Sequence, residues 1–220
     1  MTYKCIIFDI GYTLVKHNNE IESKMMSEIL NIPYSKEFEN QVARFWKNSG
    51  ELTKDKIINK EMYCNLIQKM FPYIKKYNIK SLDFFKALCE KGEVGKYEET
   101  DEILDYLYNK NYTLVSLSNW FSDDQEKELR NLKILKYFTN IFGWDNTYAK
   151  PNPITIKEKL LNKYQKNELI LVGNSLDIDI QCGINAGIDT VWYNLENQNN
   201  KSDIKPTYEI SNLLELKNIL

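Results

Sequence analysis

Histidine is almost missing from this chain: among 220 residues there is one, His17. That excludes a zinc site built on paired histidines, and any Ser-His-Asp or Cys-His arrangement would have to use that single residue. The four cysteines (Cys5, Cys64, Cys89, Cys182) stand far apart with no CxxC pair, so they read as reduced thiols rather than redox or metal motifs. No apolar run approaches the roughly 18 residues that span a bilayer, and the mean hydropathy of −0.51 is polar. Neither sign of charge dominates: 29 Lys and Arg oppose 31 acidic residues, for a net charge of −2. Without a basic footprint, a nucleic-acid or other polyanion partner is excluded. The opening apolar stretch ends at Asp9 and is too short for a signal peptide. What is present, 43% apolar and 13% aromatic residues, excludes disorder as the main state. A soluble, cytoplasmic protein without a membrane partner is expected.

The order of segments then sets a fold class. Tyr3 to Phe8 is a β-branched and aromatic run, closed by Asp9 and Gly11 as a turn. From about Lys16 to Glu90 apolar residues recur at helical spacing, as in Ile21, Met25, Ile29 and Val42, Phe45, Trp46, with no strand signal. This predicts a block of three to five helices, punctuated at its end by Gly92 and Gly95. Strands and helices alternate afterwards. Strands are expected at Tyr112 to Leu117, near Thr139 to Phe142, at Leu169 to Val172, Thr190 to Tyr193 and Tyr208 to Ile210. Helices are expected at Glu102 to Tyr108, Gln125 to Leu132, Ile154 to Tyr164, Ile178 to Asn185 and Leu213 to Leu220. Repeated βα units imply a parallel sheet covered on both faces, with the active site beyond the carboxyl ends of its strands. The reading is an α/β, Rossmann-like core (1–15 and 92–220) interrupted after its first strand by an all-helical cap (16–91). Asp9, Ser118, Asn174 and Asp179 follow strands and, with Lys150, converge on one sheet edge.

Four motifs occur in order. They are Phe8-Asp9-Ile10-Gly11-Tyr12-Thr13-Leu14, Leu117-Ser118-Asn119, Ala149-Lys150-Pro151-Asn152-Pro153, and Val172-Gly173-Asn174-Ser175-Leu176-Asp177-Ile178-Asp179. Together they resemble the motif set of the haloacid dehalogenase-like hydrolase superfamily, in its subgroup with an α-helical cap. The resemblance implies Asp9 as nucleophile, forming a covalent aspartyl intermediate. It further implies Lys150 as the cation that holds Asp9 and neutralises substrate charge. The Ser118 hydroxyl and Asn119 N–H would hydrogen-bond a phosphoryl oxygen, with Thr13 also on the substrate side. Asp9, the Gly11 carbonyl, Asn174 and Asp179 would hold Mg²⁺, a hard cation that prefers oxygen. The substrate implied is a small phosphorylated metabolite.

Two positions depart from that pattern. The family's phosphatases carry a second Asp two residues after the nucleophile, as general acid and then base; here that residue is Gly11. General acid–base catalysis is worth about 10² to 10⁴ in rate, and alkyl phosphates, with poor leaving groups, suffer most from its loss. Asn174 stands where the family usually has Asp, which removes one negative charge from the metal set. Two other readings therefore stand beside a weakened Mg²⁺-dependent phosphatase. One is a metal-independent 2-haloacid dehalogenase-like hydrolase, since halides leave without a proton; the other is a catalytically degenerate fold with a binding or regulatory role. Outside the motifs, His17 reads by default as a lone surface histidine at the cleft mouth. Arg44 and Trp46 read as packing or solvent-facing residues of the cap, and Asp177 as exposed.

Overall fold

The computed structural model describes residues 3–71, 73–90 and 95–220. Strand β1 (Cys5–Phe8) has parallel neighbours on both sides, and its four side chains are buried alternately in the apolar layers on the two faces of the sheet. A tight turn through Tyr12 leads to β2 (Val15–Lys16), where the chain leaves the sheet. The cap follows: α1 (Asn19–Ile29), α2 (Lys36–Thr53), α3 (Lys60–Met70), the short α4 (Tyr73–Lys76) and α5 (Ser81–Glu90). The first three begin at Asn18, Ser35 and Asn59, whose side-chain oxygens accept the N–H of Ile21, Phe38 and Met62. β3 (Gly95–Lys96) pairs antiparallel with β2. The entry and exit of the cap are thus one two-stranded ribbon, which the absence of strand signals did not foretell. Lys16 belongs to that ribbon rather than to a helix. Gly92, read as a break, lies outside the described residues.

The rest is α/β as expected: α6 (Thr100–Asn109), β4 (Thr113–Leu117), α7 (Ser122–Asn131), β5 (Phe138–Phe142), β6 (Leu169–Gly173), α8 (Gln181–Ala186), β7 (Asp189–Tyr193) and β8 (Tyr208–Ile210). The sheet has six parallel strands in the order β5-β4-β1-β6-β7-β8. Three predicted helices differ. The span at Ile154 to Tyr164 is wound as a π-helix over Ile156–Leu160, and the one after β6 begins with a π-turn at Leu176–Ile180 before α8. The closing segment is a 3₁₀ helix, Leu213–Asn218.

One side of the sheet buries Ile6, Phe8, Leu114, Ile170 and Val172 against α6 and the C-terminal segment. The other buries Ile7, Val115, Leu117 and Leu171 against Ile156 and Cys182. The cap has its own apolar cluster, around Phe45, Tyr63, Phe71 and Phe84, and it takes in the core residues Phe121, Trp144 and Ala149. Two backbone bonds cross the same junction: Ile58 N–H to the Trp144 carbonyl at 2.9 Å, and Ala149 N–H to the Lys56 carbonyl at 3.1 Å. In α1 the buried face is not Ile21, Met25 and Ile29. Ile21 and Ile29 are exposed, and Glu22, Ser23, Met26 and Ser27 point inward. Among the described residues no helix is long and apolar enough to cross a membrane.

Candidate active site

Parallel pairing in register brings the carboxyl ends of β1, β4 and β6 side by side, so the residues just past them share one edge. Asp9 follows β1, its N–H donating to the Val172 carbonyl at 2.9 Å. Its carboxylate is met from two sides: Lys150 Nζ donates to Oδ1 at 2.7 Å and Thr13 Oγ1 to Oδ2 at 2.9 Å. The same ammonium donates to Asp179 Oδ1 at 2.6 Å. Lys150 and Asp179 are 3% and 1% exposed. Burial alone would lower the Lys150 pKa, but the carboxylates of Asp179 and Asp9 outweigh it and hold the ammonium above its ordinary value. Burial pushes the Asp179 carboxyl up to about 6, with Lys150 pulling the other way.

The neighbours of this network are fixed as well. Ser175 N–H donates to Asp179 Oδ2 at 2.9 Å. A Cβ on Gly173 would lie 2.4 Å from Asp179 Cβ and 2.5 Å from Oδ2, so only glycine ends β6 here without displacing the carboxylate. Thr13 Oγ1 also reaches Asn174 Oδ1 at 3.4 Å. Asp9, Thr13, Lys150, Asn174 and Asp179 are therefore brought together as one group. Asn119 stands one step behind, and its side chain has a task the motif did not suggest. Its Oδ1 accepts the Lys150 N–H at 2.8 Å and its Nδ2 donates to the Lys150 carbonyl at 3.0 Å. That reciprocal clamp fixes the backbone from which the ammonium reaches inward, beside the cis Lys150–Pro151 bond.

Ser118 and Gly11 line a cleft of about 490 Å³ between core and cap, together with Tyr12, His17, Trp46 and Trp120. Trp46 of α2 packs on Trp120, ring centroids 5.1 Å apart, so the cap and core make one aromatic wall. His17 is not a lone surface residue. Its side chain is 15% exposed, Nδ1 lies 2.7 Å from the buried Glu22 Oε1, and its ring tilts against Tyr12 at 4.9 Å. The unmatched phase of α1 is what delivers Glu22 there.

The oxygens of Asp9, Asn174 and Asp179 around Thr13 and Lys150 are hard donors of the kind Mg²⁺ takes. Among the described residues no group of three or more His, Cys, Asp or Glu gathers elsewhere or here. The donors for a cation would be two carboxylates and an amide oxygen, right in kind for Mg²⁺ but with less charge than three carboxylates give, and the Lys150 ammonium already bonds both carboxylates.

A sequence model of the haloacid dehalogenase-like hydrolases matches residues 6–193. The chain belongs to that family. The pyrimidine 5′-nucleotidase PynA of Streptococcus pneumoniae is 26% identical, over 100% of this chain and 98% of its own. The magnesium-bound crystal structure of the Bacillus subtilis HAD-family protein YfnB superposes with a TM-score of 0.80 at 22% identity, covering 100% of this chain and 99% of that one. A 2-haloacid dehalogenase from Pseudomonas syringae pv. Tomato DC3000 gives 0.70 at 19% identity, covering 99% and 98%. At these identities the two structures speak for the fold: a parallel sheet with an inserted helical cap.

Proposed function

We propose that this hydrolase is a phosphomonoesterase that uses Asp9 as nucleophile on small phosphorylated metabolites. The observation that carries the reading is the Asp9–Lys150–Asp179 network at the sheet edge. A buried ion cluster contributes little net stability, because desolvation offsets the attraction. Its completeness therefore favours retained chemistry over a degenerate binding fold. The Asp9 carboxylate attacks phosphorus and becomes an acyl phosphate, which water then hydrolyses. Lys150 keeps Asp9 oriented and balances the negative charge that gathers as two anions approach. The Ser118 hydroxyl and Asn119 N–H receive a phosphoryl oxygen in this proposal. Asp9, Asn174, Asp179 and the Gly11 carbonyl would hold Mg²⁺, which when bound lowers the repulsion between carboxylate and phosphate. The core would run over 1–15 and 92–220 and the cap over 16–91, joined at the β2–β3 ribbon.

The likeness to PynA makes nucleoside 5′-monophosphates the first substrate class to assay, with the Trp46–Trp120 wall available to an aromatic base. The test measures turnover of 4-nitrophenyl phosphate with and without Mg²⁺, for the wild type and Asp9→Asn. An aryl oxide leaves without a proton, so the missing acid at position 11 does not mask the Asp9 step. Turnover that needs Asp9 is the expected result. Inert protein here, together with turnover of 2-haloacids, would replace this reading by the dehalogenase-like one; no turnover of either would leave the binding fold.

A further inference from the structure

If the chain is a phosphatase of this kind, and the inference rests on that reading, the proton that Gly11 cannot carry must come from elsewhere. The space beside Gly11 is filled: a Cβ built there lies 3.1 Å from His17 Nε2 and 3.4 Å from His17 Cδ2. The imidazole therefore occupies the room that a side chain at position 11 would take. It is held there from two directions. Glu22 Oε1 lies 2.7 Å from Nδ1, and the Tyr12 ring packs against the imidazole at a tilt of 43°. A carboxylate only accepts, so Nδ1 carries its hydrogen and Nε2 is the nitrogen turned toward Gly11. Glu22 is itself 5% exposed and also accepts the Asn18 N–H at 3.3 Å. It is a buried acid in the first turn of α1, held between the His17 ring and the N-cap amide of its own helix. His17, Gly11 and Ser118 line the same cleft.

The geometry points to His17 as the general acid and base of the reaction, with Glu22 as its positioning residue, in place of the carboxylate absent at position 11. In the first half-reaction an Asp9 oxygen bonds to phosphorus. The phosphorus–alkoxide bond breaks with its electron pair going to the leaving oxygen, which takes the proton from Nε2 of the doubly protonated ring. In the second, Nε2 removes a proton from water as the water oxygen bonds to phosphorus. The bond to Asp9 then breaks, returning its carboxylate, inorganic phosphate and the doubly protonated ring. The chain's only histidine and its missing aspartate thereby become one feature, since the glycine makes the room that the ring fills.

The test compares single-turnover release from 4-nitrophenyl phosphate with release from an alkyl phosphate, a nucleoside 5′-monophosphate, in the presence of Mg²⁺. His17→Ala and His17→Gln are each expected to lose activity on the alkyl ester far more than on the aryl one, raising the aryl-to-alkyl rate ratio about 10²-fold or more. Glu22→Gln is expected to raise the ratio less. In the His17→Ala background, Gly11→Asp is expected to recover alkyl turnover at least about tenfold, since general acid catalysis is restored and the ring no longer competes for the space. Equal losses on both esters, or no loss in either His17 variant, would overturn the inference while leaving the Asp9 reading intact. A wild type inert toward both esters would overturn that reading, and this inference with it.

Discussion

At the scale of single residues, Lys150 is the pivot, because one ammonium compensates two buried carboxylates. Lys150→Met would leave Asp9 and Asp179 facing each other without a counter-charge. A loss of about 3–5 kcal/mol of stability is expected, as for other broken buried ion pairs, read as a shift in the urea midpoint. The Asn119 clamp is of a different kind. Asn119→Ala removes both bonds to the Lys150 backbone, and a cost of about 1–3 kcal/mol is expected with a fall in turnover, since the ammonium loses its fixed base. Asp9, Lys150, Asn174 and Asp179 were legible in the sequence because each sits in a motif whose residue types are tied to one chemistry. Asn119 was legible as a motif member but not in its side-chain task, which depends on a loop thirty-odd residues away closing against it. His17 and Glu22 were not legible as a pair. No motif joins them, and Ile21 and Ile29 advertise a buried face that the helix turns to solvent.

At the scale of elements, the end of β6 and the α1–α2 corner carry separate expectations. Gly173→Ala would push a Cβ into the Asp179 carboxylate, so both stability and Mg²⁺ affinity should fall, the first by about 1–3 kcal/mol as in other overpacked sites. Both can be followed by thermal unfolding with and without the cation. At the corner, Lys36 and Tyr34 both bond the Glu39 carboxylate and hold it below its ordinary range, with the Lys36 bond the larger cause. A native pKa below the unfolded one means the contribution exists above about pH 4.3 and is lost as pH falls through the native value. Glu39→Gln should therefore destabilise at neutral pH, and the difference from wild type should vanish in acid unfolding. The inner strands β1, β4, β6 and β7 were readable because buried apolar runs closed by Asp9, Ser118, Asn174 and Asn194 leave few alternatives. The β2–β3 ribbon was not, since two-residue strands have no period. Nor were the π-turns at Ile156–Leu160 and Leu176–Ile180, which depend on how the chain packs against the sheet.

At the scale of the molecule, cap and core share apolar contacts and backbone bonds, so they are expected to unfold together. Tyr63 of the cap touches Trp120, Phe121 and Trp144 of the core. Phe45→Ala, within the cap cluster, should cost about 3–5 kcal/mol while leaving tryptophan fluorescence and far-UV circular dichroism coincident in one transition. That cohesion keeps the cleft walls in register with Asp9, the proposed nucleophile. Its aspartyl intermediate can be trapped by rapid acid quench of the protein turning over 4-nitrophenyl phosphate with Mg²⁺, followed by peptide mapping. The expected result is a phosphoryl group on the peptide carrying Asp9 in the wild type, and neither adduct nor turnover in Asp9→Asn. Turnover that persists in Asp9→Asn, or a phosphoryl group trapped on another residue, would contradict it.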